Sequence, residues 1–326
     1  MLSVHLRRFL ESHGISVDFI DGNLYTLREI YRQRANPSAA KEPVLKCVLQ
    51  EITRRLREHK YPIVIAIERE DIFLEKFPTS SRRFYFCTAP LAYERYYRWL
   101  YNGEPEAENK LQKALDIERS IYESADIITF AWNTYETFVR KNVYNGNNIF
   151  SHPGLGWYGC EPRTKRVEYQ EALKLIYLGN IDYWSNPTLL ADLTERTQFP
   201  IHCYGRALVP FSGVKHFGYV KNEWETLNKY QFGLNTVSTD PLRKVGFPSK
   251  VFTYLNVGLP SLSPTWQIFS HQVSGVIPYR TDNFVELVEK HHKQDIWQKF
   301  SNLAYAQAQE LHWQKVLFPL LELLKE

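Results

Sequence analysis

Residues Gly246–Pro260 read GFPSKVFTYLNVGLP, and the punctuation of that stretch decides the fold. Pro248 presets the backbone for a helix start, Ser249 can cap it, Lys250 stands in the first turn, Gly258 supplies the C′ turn and Pro260 forbids continuation. A helix predicted over Ser249–Val257 therefore gathers free N–H groups and one ammonium at the same end. Amide donors, helix dipole and point charge then act in one direction on an anion such as a diphosphate. The plainer reading is a capped helix with a surface lysine.

Outward from this helix, short apolar runs alternate with amphipathic helical spacing, as in an α/β chain with parallel sheets. Strands are predicted over Leu173–Leu178, Ile201–Tyr204 and Gly233–Val237, with helices over Asn186–Arg196 and Glu223–Tyr230 and one long helix from about Gln294 onward. Nearer the N-terminus a helix over Leu2–His13 ends at Gly14, a strand follows over Ile15–Ile20, and a second helix covers Val44–His59. Strands Ile63–Ile67, Phe84–Cys87 and Ile127–Phe130 come next, with a helix over Glu108–Ser124 before the last of them. Between the two series lie His152, Pro153, Gly154, Gly156, Gly159 and Pro162, then the charged run Arg163–Arg166, the best linker in the chain. The 326 residues, about twice the usual domain size, thus divide into a first Rossmann-like domain at 1–155, a second at 156–300 and a terminal helix at 301–326. A ligand cleft is expected between the halves, at the C-terminal ends of the strands.

Composition removes several classes. A net charge of +4, spread evenly along the chain, is too small for a nucleic-acid partner. The basic clusters at Arg54, Arg55, Arg57 and Lys60, and at Arg82 and Arg83, read as solvated faces. Cys47, Cys87, Cys160 and Cys203 form no CxxC pair, and the histidines show no HxxxH or HExxH spacing, so reduced thiols and no metal site are expected. Arg7, Arg8 and Glu11 interrupt any signal-like apolar run at the N-terminus. Val251–Tyr279 carries no Asp, Glu, Lys or Arg, but Pro260, Pro264 and Pro278 break it, which makes it buried core and not a membrane span.

One ordered set of residues carries a family resemblance: Leu178, Gly179 and Asn180; then Cys203, Tyr204 and Gly205; then Phe217 and Gly218; then Pro248, Lys250, Tyr254, Gly258 and Pro260. Over about 100 residues this order resembles the donor-binding domain of GT-B glycosyltransferases, in particular the group-1 family of bacterial nucleotide-sugar-dependent enzymes of polysaccharide biosynthesis. The resemblance implies an α/β fold of two Rossmann-like domains facing each other across a cleft, with the last helix, including Trp313, crossing back to the first domain. It implies a nucleoside-diphosphate sugar as donor substrate, no cofactor, and a donor site drawn from Gly179, Asn180, Tyr204, Gly205, Gly218, Pro248, Ser249, Lys250, Thr253 and Tyr254. Arg206 and Lys244 are further candidates for neutralising the diphosphate. Gly179 and Asn180 serve either close backbone approach by a ligand or a turn of positive φ. Where family members often carry two glutamates, this chain has Val245 and Thr253, so anomeric stereochemistry stays open.

An inverting transfer needs a carboxylate base at a strand end facing the cleft. Glu94, after strand Phe84–Cys87, is the first candidate and Glu68, after Ile63–Ile67, the second. The aromatic run Tyr93–Tyr101 suits either sugar stacking, a bilayer interface or core packing. A GT-B chain ordinarily opens with a strand and a glycine-rich turn, whereas this one starts in the following helix. The N-terminal first strand is therefore expected to be missing, to lie upstream, or to mark a reduced domain. The function expected is transfer of a sugar to a hydroxyl of a glycan or lipid-linked acceptor, in the cytoplasm, free or peripheral on the inner face of the membrane. The alternatives are a non-catalytic GT-B scaffold that binds a glycan or partners an active transferase, and, more weakly, a sugar-nucleotide epimerase.

Overall fold

The computed structural model describes residues 2–18, 50–51, 54–55, 58–67, 80–206, 214–220 and 222–325. Its described strands form two parallel sheets. In the first half, β1 (Ile63–Ile67), β2 (Arg82–Cys87) and β3 (Ile127–Phe130) lie side by side in chain order. Apolar, β-branched β1 suits a buried parallel strand. Helices Leu91–Tyr101 and Ala107–Ser124 form the crossover from β2 to β3. Residues 15–18, expected to begin a strand, run irregularly instead. Asp18 is taken up there by the Tyr61 hydroxyl and the Arg55 guanidinium, which fixes the segment through side chains and not through a ladder.

The second sheet contains β4 (Leu175–Leu178), β5 (Ile201–Tyr204), β6 (Lys215–His216), β7 (Phe232–Leu234), β8 (Ser261–Pro264) and β9 (Val276–Tyr279), in the spatial order β6-β5-β4-β7-β8-β9. Counted in chain order this is 3-2-1-4-5-6, the doubly wound arrangement, and its direction reverses between β4 and β7. In sheets of this topology ligands bind at the carboxyl ends of the two strands that flank the reversal. β8 and β9 both come from the charge-free stretch, and Pro278 is tolerated because β9 is an edge strand.

Helix Ser249–Asn256 serves two apolar clusters at once. Tyr254 faces the core of the second sheet, with Tyr177, Phe232 and Leu262. Val251, Phe252 and Leu255 join the other cluster, which holds Phe84, Phe86, Ile128 and Trp132 of the first half. Trp132 stacks on Phe247 at 4.3 Å between centroids and on Phe252 at 5.2 Å, so the halves meet through aromatic faces. The long terminal helix expected from Gln294 is in fact two, Gln294–Glu310 and Trp313–Lys325. At the break His312 Nδ1 accepts from the Gln314 N–H, while Cys160 donates its N–H to Leu311 O and accepts from the Trp313 N–H. The final helix packs on helix Leu2–Ser12, where His5 stacks on Trp313 at 4.5 Å. Among the described residues no helix is long and apolar enough to cross a membrane.

Candidate functional site

At the reversal point, β4 runs into Gly179, whose φ of +123° is a glycine conformation. Its N–H donates to Tyr204 O, and Gly205, at φ +135°, donates to Gly218 O. A Cβ on Gly205 would lie 2.1 Å from Gly179 O, so the carboxyl ends of β4 and β5 are held too close for a side chain at that position. On the open side of Gly179 a Cβ would meet Lys250 Cε at 3.4 Å. The reading of Gly179 as a turn of positive φ is thus realised, and Lys250 lies directly over that turn.

Lys250 Nζ donates to the Tyr177 hydroxyl at 2.8 Å and lies 4.0 Å from the centre of that ring. Burial pushes its pKa down to about 7, opposed by the nearby Asp182 carboxylate. Asp182 itself accepts from the Trp184 and Ser185 N–H groups, capping the turn Tyr183–Ser185. Pro248, not Ser249, occupies the cap position of helix Ser249–Asn256 and offers no side-chain hydrogen bond, which corrects the capping role expected of Ser249. Ser249 is an exposed first-turn residue. Thr253 stands half-buried on the same helix.

Two other expected donor contacts are placed differently. Tyr254 is fully buried; its hydroxyl accepts from the Leu178 N–H at 2.9 Å and lies 3.2 Å from both Ile176 O and Leu234 O. It ties β4 to β7 and has no surface for a ligand. Gly233 makes room for it, since a Cβ there would fall 2.2 Å from the Tyr254 ring. The Tyr204 hydroxyl is 3.0 Å from that of Tyr230, and its ring stacks on Phe217. By strand alternation Tyr204 points to the face opposite Cys203, which is the neighbour Lys250 feels. Arg206 is exposed beyond β5, with its carbonyl held by the Ile181 N–H, and Gly218 has a φ of +72°.

Glu94 comes to the same region from the first half. Helix Leu91–Tyr101 starts after Pro90, and its Leu91 and Ala92 N–H groups are capped by Glu118 of the neighbouring helix at 3.0 and 2.9 Å. Glu118 is 2% exposed and also accepts from the Tyr122 hydroxyl; burial raises its pKa. One turn into the capped helix, Glu94 accepts from Arg243 Nη2 at 3.4 Å. Arg243 Cζ lies over the Trp184 indole, 3.4 Å from its centre, and the Tyr183 hydroxyl reaches Glu94 O at 3.5 Å. The structure thus brings Glu94, Asp182, Trp184, Arg243 and Lys250 to one junction. Glu68 lies outside the described residues. Tyr177, Asp182, Trp184, Arg243 and Glu118 were not singled out by sequence reasoning; an aspartate capping position before Tyr183 was the available signal. Among the described residues no group of three or more His, Cys, Asp or Glu side chains is arranged to hold a metal.

No protein-family profile and no curated protein sequence matches the chain. Solved structures do. Anabaena HepE, described in complex with UDP and glucose, matches 98% of this chain over 89% of its own at 14% identity and a TM-score of 0.57. AviGT4, a glycosyltransferase involved in avilamycin A biosynthesis, matches 84% over 76% of its own at 13% identity and 0.53. The apo structure of OtsA matches 99% over 85% at 9% identity and 0.51. The chain has the GT-B fold.

Proposed function

We propose that this chain is a glycosyltransferase that takes a sugar from a nucleoside-diphosphate donor and transfers it to a hydroxyl of a glycan or lipid-linked acceptor. The observation that carries the reading is Lys250 laid over Gly179 at the reversal point of a doubly wound sheet. The second unit, 156–300, would hold the nucleotide, and the first, 1–155, the acceptor. The diphosphate meets the Lys250 ammonium and the first-turn N–H groups of its helix, where the negative charge of the leaving group develops. The bare turn of Gly179 and Asn180 lets a phosphate approach the backbone. Glu94 is assigned as the base that removes the acceptor proton in an inverting transfer. Lys250 and the helix end supply the charge that a divalent ion would otherwise supply, so none is required. We place the protein in the cytoplasm, free or at the inner membrane face.

The test is calorimetric titration with UDP, GDP, ADP and dTDP. At least one binds, and Lys250→Ala weakens it about tenfold or more while the melting temperature holds. Sugar transfer persists in excess EDTA, and Glu94→Gln lowers turnover on the order of a hundredfold without weakening donor binding. Failure of all four nucleotides to bind overturns the reading. Binding without transfer to any hydroxyl acceptor points to a non-catalytic GT-B scaffold.

A further inference from the structure

We propose that Arg243 is shared between the two halves: it holds Glu94 before the donor arrives and turns to the diphosphate when the donor binds, releasing the carboxylate to the acceptor. The inference rests on the donor reading above. Its ground is how differently the backbone and the side chain of Arg243 are secured. Asp240 Oδ1 accepts from the Arg243 N–H at 2.9 Å, and Gln267 Nε2 donates to Arg243 O at 3.1 Å. Gln267 is in turn bound to Asn235 at 2.6 Å, directly after β7. The main chain is therefore fixed to the sheet at the reversal point.

The side chain is not fixed in that way. A guanidinium carries five N–H donors, yet Nε of Arg243 is buried without a partner. Its contact with Glu94 is 3.4 Å, longer than the 2.7–2.9 Å usual for a charge-assisted hydrogen bond. The Trp184 ring beneath Cζ supports the guanidinium by a cation–π contact that does not fix which acceptors its N–H groups meet. Trp184 belongs to the turn capped by Asp182, and Arg243 is near enough to Lys250 to help depress its pKa. Two cations at that junction repel each other, and a diphosphate between them turns that repulsion into attraction to both. A planar guanidinium also matches two phosphate oxygens better than a single carboxylate oxygen at long range. Arg98, another cation near Glu94, is already bonded across the junction to Tyr183 of the second half.

The experiment is a double-mutant cycle on UDP affinity by calorimetry, with uridine as the control that lacks phosphate and GDP, ADP and dTDP as alternative probes if UDP is not the nucleotide bound. Arg243→Gln weakens the diphosphate about tenfold and leaves the nucleoside unchanged. Glu94→Gln, by freeing Arg243, strengthens the diphosphate several-fold, and this gain vanishes in the Arg243→Gln background. Arg243→Lys, which keeps the charge and loses the fork, falls between wild type and Arg243→Gln and guards against a folding defect. Unchanged or weaker diphosphate binding in Glu94→Gln, with wild-type binding intact, overturns the inference and leaves the donor reading standing. If the wild type binds none of the four nucleotides, the donor reading fails and the inference falls with it.

Discussion

Lys250 is held in a condition that suits a ligand better than it suits the folded chain. With its pKa at about 7 against an ordinary value near 10.5, the unfolded chain carries a proton between those limits that the folded chain lacks. Stability therefore rises with pH across that window, and the penalty is full below it. Lys250→Met is expected to stabilise the protein by about 1–3 kcal/mol at pH 6 or so, with the gain shrinking toward pH 10, as read by denaturant unfolding. Ligand binding runs the other way. A diphosphate favours the ammonium, so affinity falls as pH climbs above about 7 with net proton uptake, measurable by calorimetry in buffers of different ionisation enthalpy. Lys250→Ala removes that slope. At Gly233 the expectation is purely steric: Gly233→Ala drives a methyl into the Tyr254 ring at 2.2 Å and costs about 2–4 kcal/mol.

At the scale of elements, helix Leu91–Tyr101 owes its start to a carboxylate on another helix. Glu118→Ala strands the Leu91 and Ala92 N–H groups and the Tyr122 hydroxyl, at a cost of about 2–4 kcal/mol, and lowers turnover by loosening the helix that carries Glu94. Thermal unfolding and single-turnover rates separate the two effects. This pairing was beyond sequence reading for a physical reason. The helix over Ser249–Val257 and the glycine of β4 were legible because caps and turns are local, fixed by residues three or four apart. Glu118 reaches Leu91 across 27 positions and Arg243 reaches Glu94 across 149, distances at which spacing carries no information. Tyr254 shows the converse. Its position in the helix was readable, but only the closure of β4 on β7 buries its hydroxyl and makes it a strut. The break at Leu311–His312 escaped because a histidine cap and two hydrogen bonds to Cys160 replace the usual glycine or proline signal.

At the scale of the molecule, the two sheets share apolar material. Trp132 connects the first sheet to Phe247 and Phe252 of the second unit, and Thr134 donates to Val245 O at 2.6 Å beside it. Wild type is expected to melt in one calorimetric transition. Trp132→Ala, at a cost of about 3–5 kcal/mol, is expected to split it into two as the halves lose their common packing. The cluster does not stop at that junction. Leu6, Phe9 and Leu10 of the first helix and Leu317, Leu320 and Leu321 of the last lie in it together with Phe84 and Phe86. Arg82 of β2 also donates to Leu323 O at 2.7 Å, a contact spanning 241 positions. Domains generally fold as they leave the ribosome, N-terminal first, but this first half shares its apolar cluster with helix Trp313–Lys325, which is translated after the whole second sheet. Its core stays incomplete until that helix has been made, and a nascent chain cut before Trp313 leaves that core open to chaperones.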